Sequence, residues 1–252
     1  PERALPYLAE ARKLYRQAHA SAGEGFILWA IGSTYRFCGD LRKAVAHFQK
    51  ALGIAEQNQD EAGKGYALCG LGGASRLMGK FEDTQRFYQA ANELFEREGD
   101  VYGRAYSYCG LGNAARMRRD YTLAMQFFAK AEKFYARIGD KASFAYTVWS
   151  MATVHKMRGD YKRSTAEFAR ARQLFRETRD HRGLIYCRLG VGELALLQRK
   201  KQAARKAFTE SLEKAQQYGY HAEACHALAG IALVDPLPDW PAVKKAYRAC
   251  GL

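Results

Sequence analysis

The 252 residues are 48% hydrophobic and 13% aromatic, enough apolar surface to bury a continuous core, which excludes wholesale disorder. Forty lysines and arginines against 26 acids give a net charge of +14, which favours nucleic acid, anionic lipid or an acidic peptide as partner without choosing among them. No run approaches the roughly 18 consecutive apolar residues that cross a bilayer, so membrane insertion is not expected. The six cysteines stand singly with no CxxC pair, which argues against a zinc site and against a secreted disulfide scaffold. Reduced, buried thiols in a cytoplasmic protein are the reading they support. An opening at Pro1 is what a mature or excised piece of a longer protein would show.

Residues 1–20 contain Ala4, Leu8 and Ala11, a step of four and then three that puts all three side chains on one helical face. The segment reads as the second helix of a repeat whose first helix is missing, or as an end cap, and its apolar face offers a route to self-association. From residue 21 a forty-residue unit runs five times without insertion, over 21–60, 61–100, 101–140, 141–180 and 181–220. Each unit predicts two helices separated by short polar breaks. In Gly39-Asp40, Gly99-Asp100, Gly139-Asp140 and Gly159-Asp160 the glycine accepts a left-handed conformation and the aspartate caps the next helix. Breaks this short make neighbouring helices antiparallel.

The second helix of each unit carries a ring between small residues, as in Ala44/Phe48/Ala51, Thr84/Phe87-Tyr88/Ala91, Ala124/Phe128/Ala131, Ser164/Phe168/Ala171 and Ala204/Phe208/Ser211. That pattern is a knob beside two holes. In the first helix, Leu71, Leu111, Met151 and Val191 are followed by Gly72, Gly112, Ala152 and Gly192. A helical glycine costs about 0.5–1 kcal/mol against alanine, so its return at one offset predicts a backbone passing close by. After residue 220, His221 to Val234 reads as a sixth first helix. The prolines at 236, 238 and 241 then interrupt the pattern before a short last helix carrying Val243, Tyr247 and Cys250.

Leu111-Gly112, Ala124, Phe128 and Ala131 resemble the tetratricopeptide repeat, whose unit of about thirty-four residues has a leucine-glycine pair in its first helix and an alanine, aromatic, alanine series in its second. The resemblance covers nearly the whole chain. It implies an all-α, right-handed solenoid of antiparallel helix pairs in a single domain over 1–252, with partial units at 1–20 and 221–252, working in protein or peptide recognition. The chain departs from the pattern in its period of forty, in Glu56, Glu96, Ala136, Arg176 and Gln216 where the family closes with proline, and in keeping the first-helix tyrosine only as Tyr35. A longer period with Gly-Asp breaks looks like the sub-class of spindle-orientation adaptors, kinesin light chains and bacterial peptide-sensing regulators. Leu111-Gly112-Asn113 reproduces a triplet of the first of these, with Asn113 standing alone at its offset.

In such repeats the first helices line a concave face, and here a second helical stripe, distinct from the packing stripe at Leu28, Ile31, Gly32 and Tyr35, carries unusual residues. It holds Phe26, Tyr66, Tyr106, Tyr146 and Tyr186; then Trp29, Cys69, Cys109, Trp149 and Leu189; then Arg36, Arg76, Arg116 and Lys156, with Leu196 ending the series. The five first-helix windows hold nine basic residues against Glu24, Glu61 and Glu193, an excess of six, and Glu193 lowers the charge at the far end. One reading has the rings packing between repeats and the cations compensating helix dipoles. Another has arginine forks binding carboxylates of an extended or helical acidic segment while the rings grip its apolar side chains. Single-stranded nucleic acid is an alternative occupant, as is a sensor role within a larger signalling or transcription protein. Six histidines at unrelated offsets, without an HExxH, a nucleophile elbow or a phosphate loop, point away from an enzyme, a metal or a cofactor. His155 is expected in the interior, and Cys69 and Cys109, in adjacent repeats, are expected to lie too far apart to bond.

Overall fold

The computed structural model describes residues 2–250, and among them every regular element is a helix. The chain divides into two compact units, Pro1–Phe134 and Tyr135–Leu252. The first contains a 3-10 turn at Glu2–Ala4 and helices α1 (Leu5–Gln17), α2 (Ser21–Cys38), α3 (Leu41–Gln57), α4 (Glu61–Leu77), α5 (Phe81–Glu98) and α6 (Val101–Met117). The unit boundary falls within α7 (Tyr121–Ile138). The second unit continues with α8 (Lys141–Met157), α9 (Tyr161–Glu177), α10 (His181–Leu197), α11 (Lys201–Tyr218), α12 (His221–Val234) and α13 (Trp240–Ala249). In each unit a first helix packs on the second helix that follows it, and that second helix packs on the next first helix.

The breaks between helices use local chemistry. Asp40, Asp60, Asp100, Asp140, Asp160 and Asp180 each accept from the backbone N–H three residues on, at 2.8–3.1 Å, and each such cap is worth about 1 kcal/mol. Gly39, Gly99 and Gly219 end α2, α5 and α11 in the left-handed region, with φ of 88°, 69° and 70°. The glycine rule is incomplete, however. His19, Gln59, Arg119, Arg179 and Arg199 take the same conformation, with φ of 52–62°, so turn geometry imposed by the packed helices overrides the preference of these side chains.

The core is built from rings set against glycines. Phe48 is fully buried, and a Cβ added to Gly32 would lie 2.9 Å from its ring; Gly70, in the next first helix, meets the same ring. Tyr88 is held in the same way between Gly72 and Gly110, and Phe208 between Gly192 and Gly230. The expectation of a close backbone holds only in part: the Ala44 carbonyl oxygen would lie 3.2 Å from a Cβ on Gly32, but what stands nearest at Gly32, Gly72, Gly112 and Gly192 is the ring of the second helix, seated between two first helices. At the doublet Phe87-Tyr88 it is Tyr88 that turns inward, with 4% of its surface exposed. A second layer repeats the device with Phe95 between Gly65 and Gly103, and with Phe175 against Gly183.

The start of the chain differs from its sequence reading. Ala4 lies in the 3-10 turn and is exposed, so the helix begins at Leu5, and α1 buries no residue fully. Tyr15 packs against Gly23, while Tyr7 and Leu14 stay exposed. His155 is buried as expected.

The ring clamp yields a direct test by urea denaturation. Gly110→Ala forces a methyl into the Tyr88 ring and is expected to destabilise the protein by about 1–3 kcal/mol. Gly53→Ala, whose added Cβ meets nothing within 4 Å in mid-helix, is expected to stabilise it by about 0.5–1 kcal/mol.

Candidate functional site

The aromatic stripe does two jobs. Trp29 Nε1–H donates to the Tyr66 carbonyl at 3.0 Å, and Trp149 repeats the bond to the Tyr186 carbonyl at 3.1 Å. Each indole therefore ties a first helix to the next one. The Tyr66 ring packs on Phe95 at 4.9 Å and its hydroxyl donates to Asp100 at 2.8 Å, the carboxylate that also caps α6. Burial and that carboxylate raise the Tyr66 hydroxyl above its ordinary pKa. Tyr146, packed on Phe175 at 4.7 Å, is raised likewise by burial and by Asp180. Tyr186 lies against Trp149 at 5.1 Å, and the Arg182 guanidinium sits over its ring at 5.4 Å. Tyr106 is half-buried, and Cys69 and Leu189, which occupy the tryptophan offset in their repeats, are buried.

Phe26 is the exception. It stacks on Trp29 at 6.1 Å yet leaves 63% of its surface exposed. With Trp29, Ile54, Tyr66 and, from α6, Tyr102 it lines a cleft of about 400 Å³ between α2, α3 and α4. Sequence reasoning missed Tyr102 and Ile54. Tyr102 lies four residues before Tyr106, so the stripe extended by one helical turn would have reached it. Ile54 belongs to a second helix, and nothing in the periodicity marks it as a liner.

The cations separate sharply. Of the nine basic residues in the first-helix windows, six meet carboxylates of their own chain: Lys64 with Glu61, Arg104 with Glu96, Lys141 with Glu177, Lys156 with Glu193, Arg182 with Glu223 and Arg188 with Glu210. Lys156, taken from the sequence as a groove cation, is buried and bonded to the half-exposed Glu193. Its placement is a correction to an open ladder of four. Arg116 donates to Asn113 Oδ1 at 3.2 Å, while Asn113 Nδ2 donates to the Cys109 carbonyl at 3.0 Å.

Arg36 and Arg76 form no ion pair among the described residues, and Arg36 Nε is buried without a hydrogen-bond partner. For Arg36 the cause is the residue at one offset in the following helix. A Cβ on Gly73 would come within 2.5 Å of Arg36 Nη1, so the guanidinium occupies space that only glycine leaves open. Glu193 holds the equivalent position opposite Lys156 and neutralises it. Among the described residues no group of histidine, cysteine and acidic side chains comes together to hold a metal ion, and no helix is long and apolar enough to cross a membrane.

The family model described as tetratricopeptide repeat matches residues 144–217. A search of curated proteins returns no match. Among solved structures, the Rap conjugation gene regulator of the plasmid pLS20 in complex with the Phr peptide is similar at TM-score 0.74 and 14% identity, over 95% of this chain and 71% of that one. A Rap protein complexed with competence and sporulation factor is similar at 0.67 and 15%, over 99% and 73%. BtubC from P. vanneervenii is similar at 0.64 and 17%, over 87% and 93%. At these identities the likeness is one of fold. The match places tetratricopeptide repeats at residues 144–217, and the helix pairs at a forty-residue period with their ring-and-glycine core give the chain the helical-repeat fold of these structures.

Proposed function

We propose that the chain is a non-catalytic recognition module that binds an acidic, extended segment of a partner protein through its first unit. Arg36 and Arg76 receive carboxylates, and the cleft between Phe26, Trp29, Tyr66 and Tyr102 takes an apolar side chain. The observation that carries this reading is the pattern of internal pairing: six window cations have carboxylates of their own, while Arg36 and Arg76, on the same two first helices as the cleft rings Phe26, Trp29 and Tyr66, have none. A guanidinium fork binds a carboxylate through two parallel hydrogen bonds. A solved structure of the same fold is a complex with a peptide, which supports a peptide as the class of ligand.

Geometry sets the register. Phe26 and Arg36 are ten residues apart on α2, about 15 Å along the helix axis. An extended peptide rises about 3.3 Å per residue, so the apolar anchor and the acid it presents to Arg36 are separated by about four or five positions.

Selection from a displayed library of random peptides tests the reading, with affinities of the enriched sequences then measured by fluorescence polarisation. The selected peptides are expected to carry Asp or Glu about four or five positions from an apolar residue. Their affinity is expected to fall at least about tenfold in Arg36→Glu with Arg76→Glu, in a protein whose thermal melt stays cooperative. Enriched peptides without acids, or an unchanged affinity in the folded double variant, would overturn the proposal, as would tighter binding of a single-stranded oligonucleotide at the same site. Gly73→Glu places a carboxylate beside Arg36, as Glu193 does for Lys156, and is expected to weaken the same peptides at least about fivefold with both arginines intact. Phe26→Ala is expected to weaken them about tenfold while changing stability by less than about 0.5 kcal/mol, because the ring is largely exposed.

A further inference from the structure

Two of the six cysteines, neither in the recognition stripe, meet in the second unit. Cys225 lies on α12 and is buried, whereas Cys250 caps the end of α13 and is half-buried; their Sγ atoms are 3.1 Å apart although the residues are 25 positions apart in sequence. All six cysteines are thiols in the structure. A disulfide has its sulfurs about 2.05 Å apart, so the pair is short of a bond by about 1 Å, a distance that small side-chain rotations can close.

The setting gives such a bond an effect. Helix α13 has ten residues and buries only Val243 fully, and it follows a segment broken by prolines at 236 and 238. Besides Val243, it is held to α12 by the hydrogen bond between the Tyr247 hydroxyl and His226 Nδ1, at 2.7 Å. An element with so little buried surface opens more readily than the ring-and-glycine core, and a covalent link to α12 would remove that freedom.

We propose that Cys225 and Cys250 are a thiol–disulfide modification site, oxidised by exchange with a small-molecule disulfide, and that the bond locks α13 onto α12. The Cys250 thiolate attacks one sulfur of the reagent, forming a mixed disulfide and releasing one thiolate. Cys225 then loses its proton and attacks the Cys250 sulfur, releasing the second. The two protein thiols are oxidised, the reagent is reduced to two thiols, and the two protons leaving the protein balance those the released thiolates take up. Cys250 is the entering group because it is the more accessible. Burial and the contact with Cys250 push the Cys225 thiol up to about 12, which makes it a poor nucleophile toward a free reagent and leaves it the second, intramolecular step, where the Cys250 sulfur is already in place.

The test treats the intact chain with oxidised glutathione. The expected product is lighter by about two mass units, because two hydrogens have been lost, with a Cys225–Cys250 cross-link in the peptide map that dithiothreitol reverses. Hydrogen exchange over residues 240–249 is expected to slow at least about tenfold on oxidation. In Cys250→Ser, checked for its cooperative melt, neither change should occur. A glutathione adduct that persists on Cys250, a cross-link through any other cysteine, or a cross-linked protein with unchanged exchange in α13 would each overturn the proposal. The wild-type peptide map decides the linkage even where the serine variant folds poorly.

Discussion

The seating of an aromatic ring between glycines of two successive first helices is the contact on which each unit depends. Phe48, Tyr88 and Phe208 each face one glycine of their own repeat and one of the next. A single ring thus sets the spacing within a helix pair and between pairs. Burying such a ring is worth about 1.5–3 kcal/mol, which outweighs the roughly 0.5–1 kcal/mol that each helical glycine gives up. Because this one residue closes both interfaces, the unit can repeat at a constant period. The same lock leaves the other stripe of the first helix to be varied.

That stripe is where the repeats diverge. Position by position the cations look equivalent, yet Arg36 lies over Gly73, Arg116 donates to Asn113, and Lys156 is bonded to Glu193. For Arg36 and Lys156 the differing residue, Gly73 or Glu193, is three before the cation's own counterpart in the following helix, whereas Asn113 lies on the same helix as Arg116. An array of like repeats can therefore hold a mostly self-neutralised surface while leaving selected charges available. The net charge of +14 says little about the face that would meet a partner, since a surface ion pair is satisfied locally and screened beyond about 8–10 Å.

The rings show the same economy. Trp29 and Trp149 each spend their single N–H on the carbonyl of the next first helix, so their polar edge is structural and only their faces remain for contact. Tyr66 and Tyr146 reach the capping aspartates of the following first helices, Asp100 and Asp180, and so join packing to capping. The two accounts of the stripe, packing between repeats and gripping a guest, divide between residues of one column: Phe26 is open, while its counterparts Tyr66 and Tyr146 are engaged.

By itself the sequence determined the helical class, the forty-residue period, the aspartate caps and the inward rings Phe48, Phe128, Phe168 and Phe208, because each follows from spacing along one helix or from a turn of a few residues. Tertiary structure alone decided which of Phe87 and Tyr88 enters the core, that a ring rather than a backbone stands nearest in the glycine gap, and that Lys156 is already paired. It also decided that Ile54 and Tyr102 join the cleft and that Cys225 meets Cys250. These are contacts between helices, set by which side chain wins a shared space, and periodicity along one helix carries no term for the neighbour across the interface.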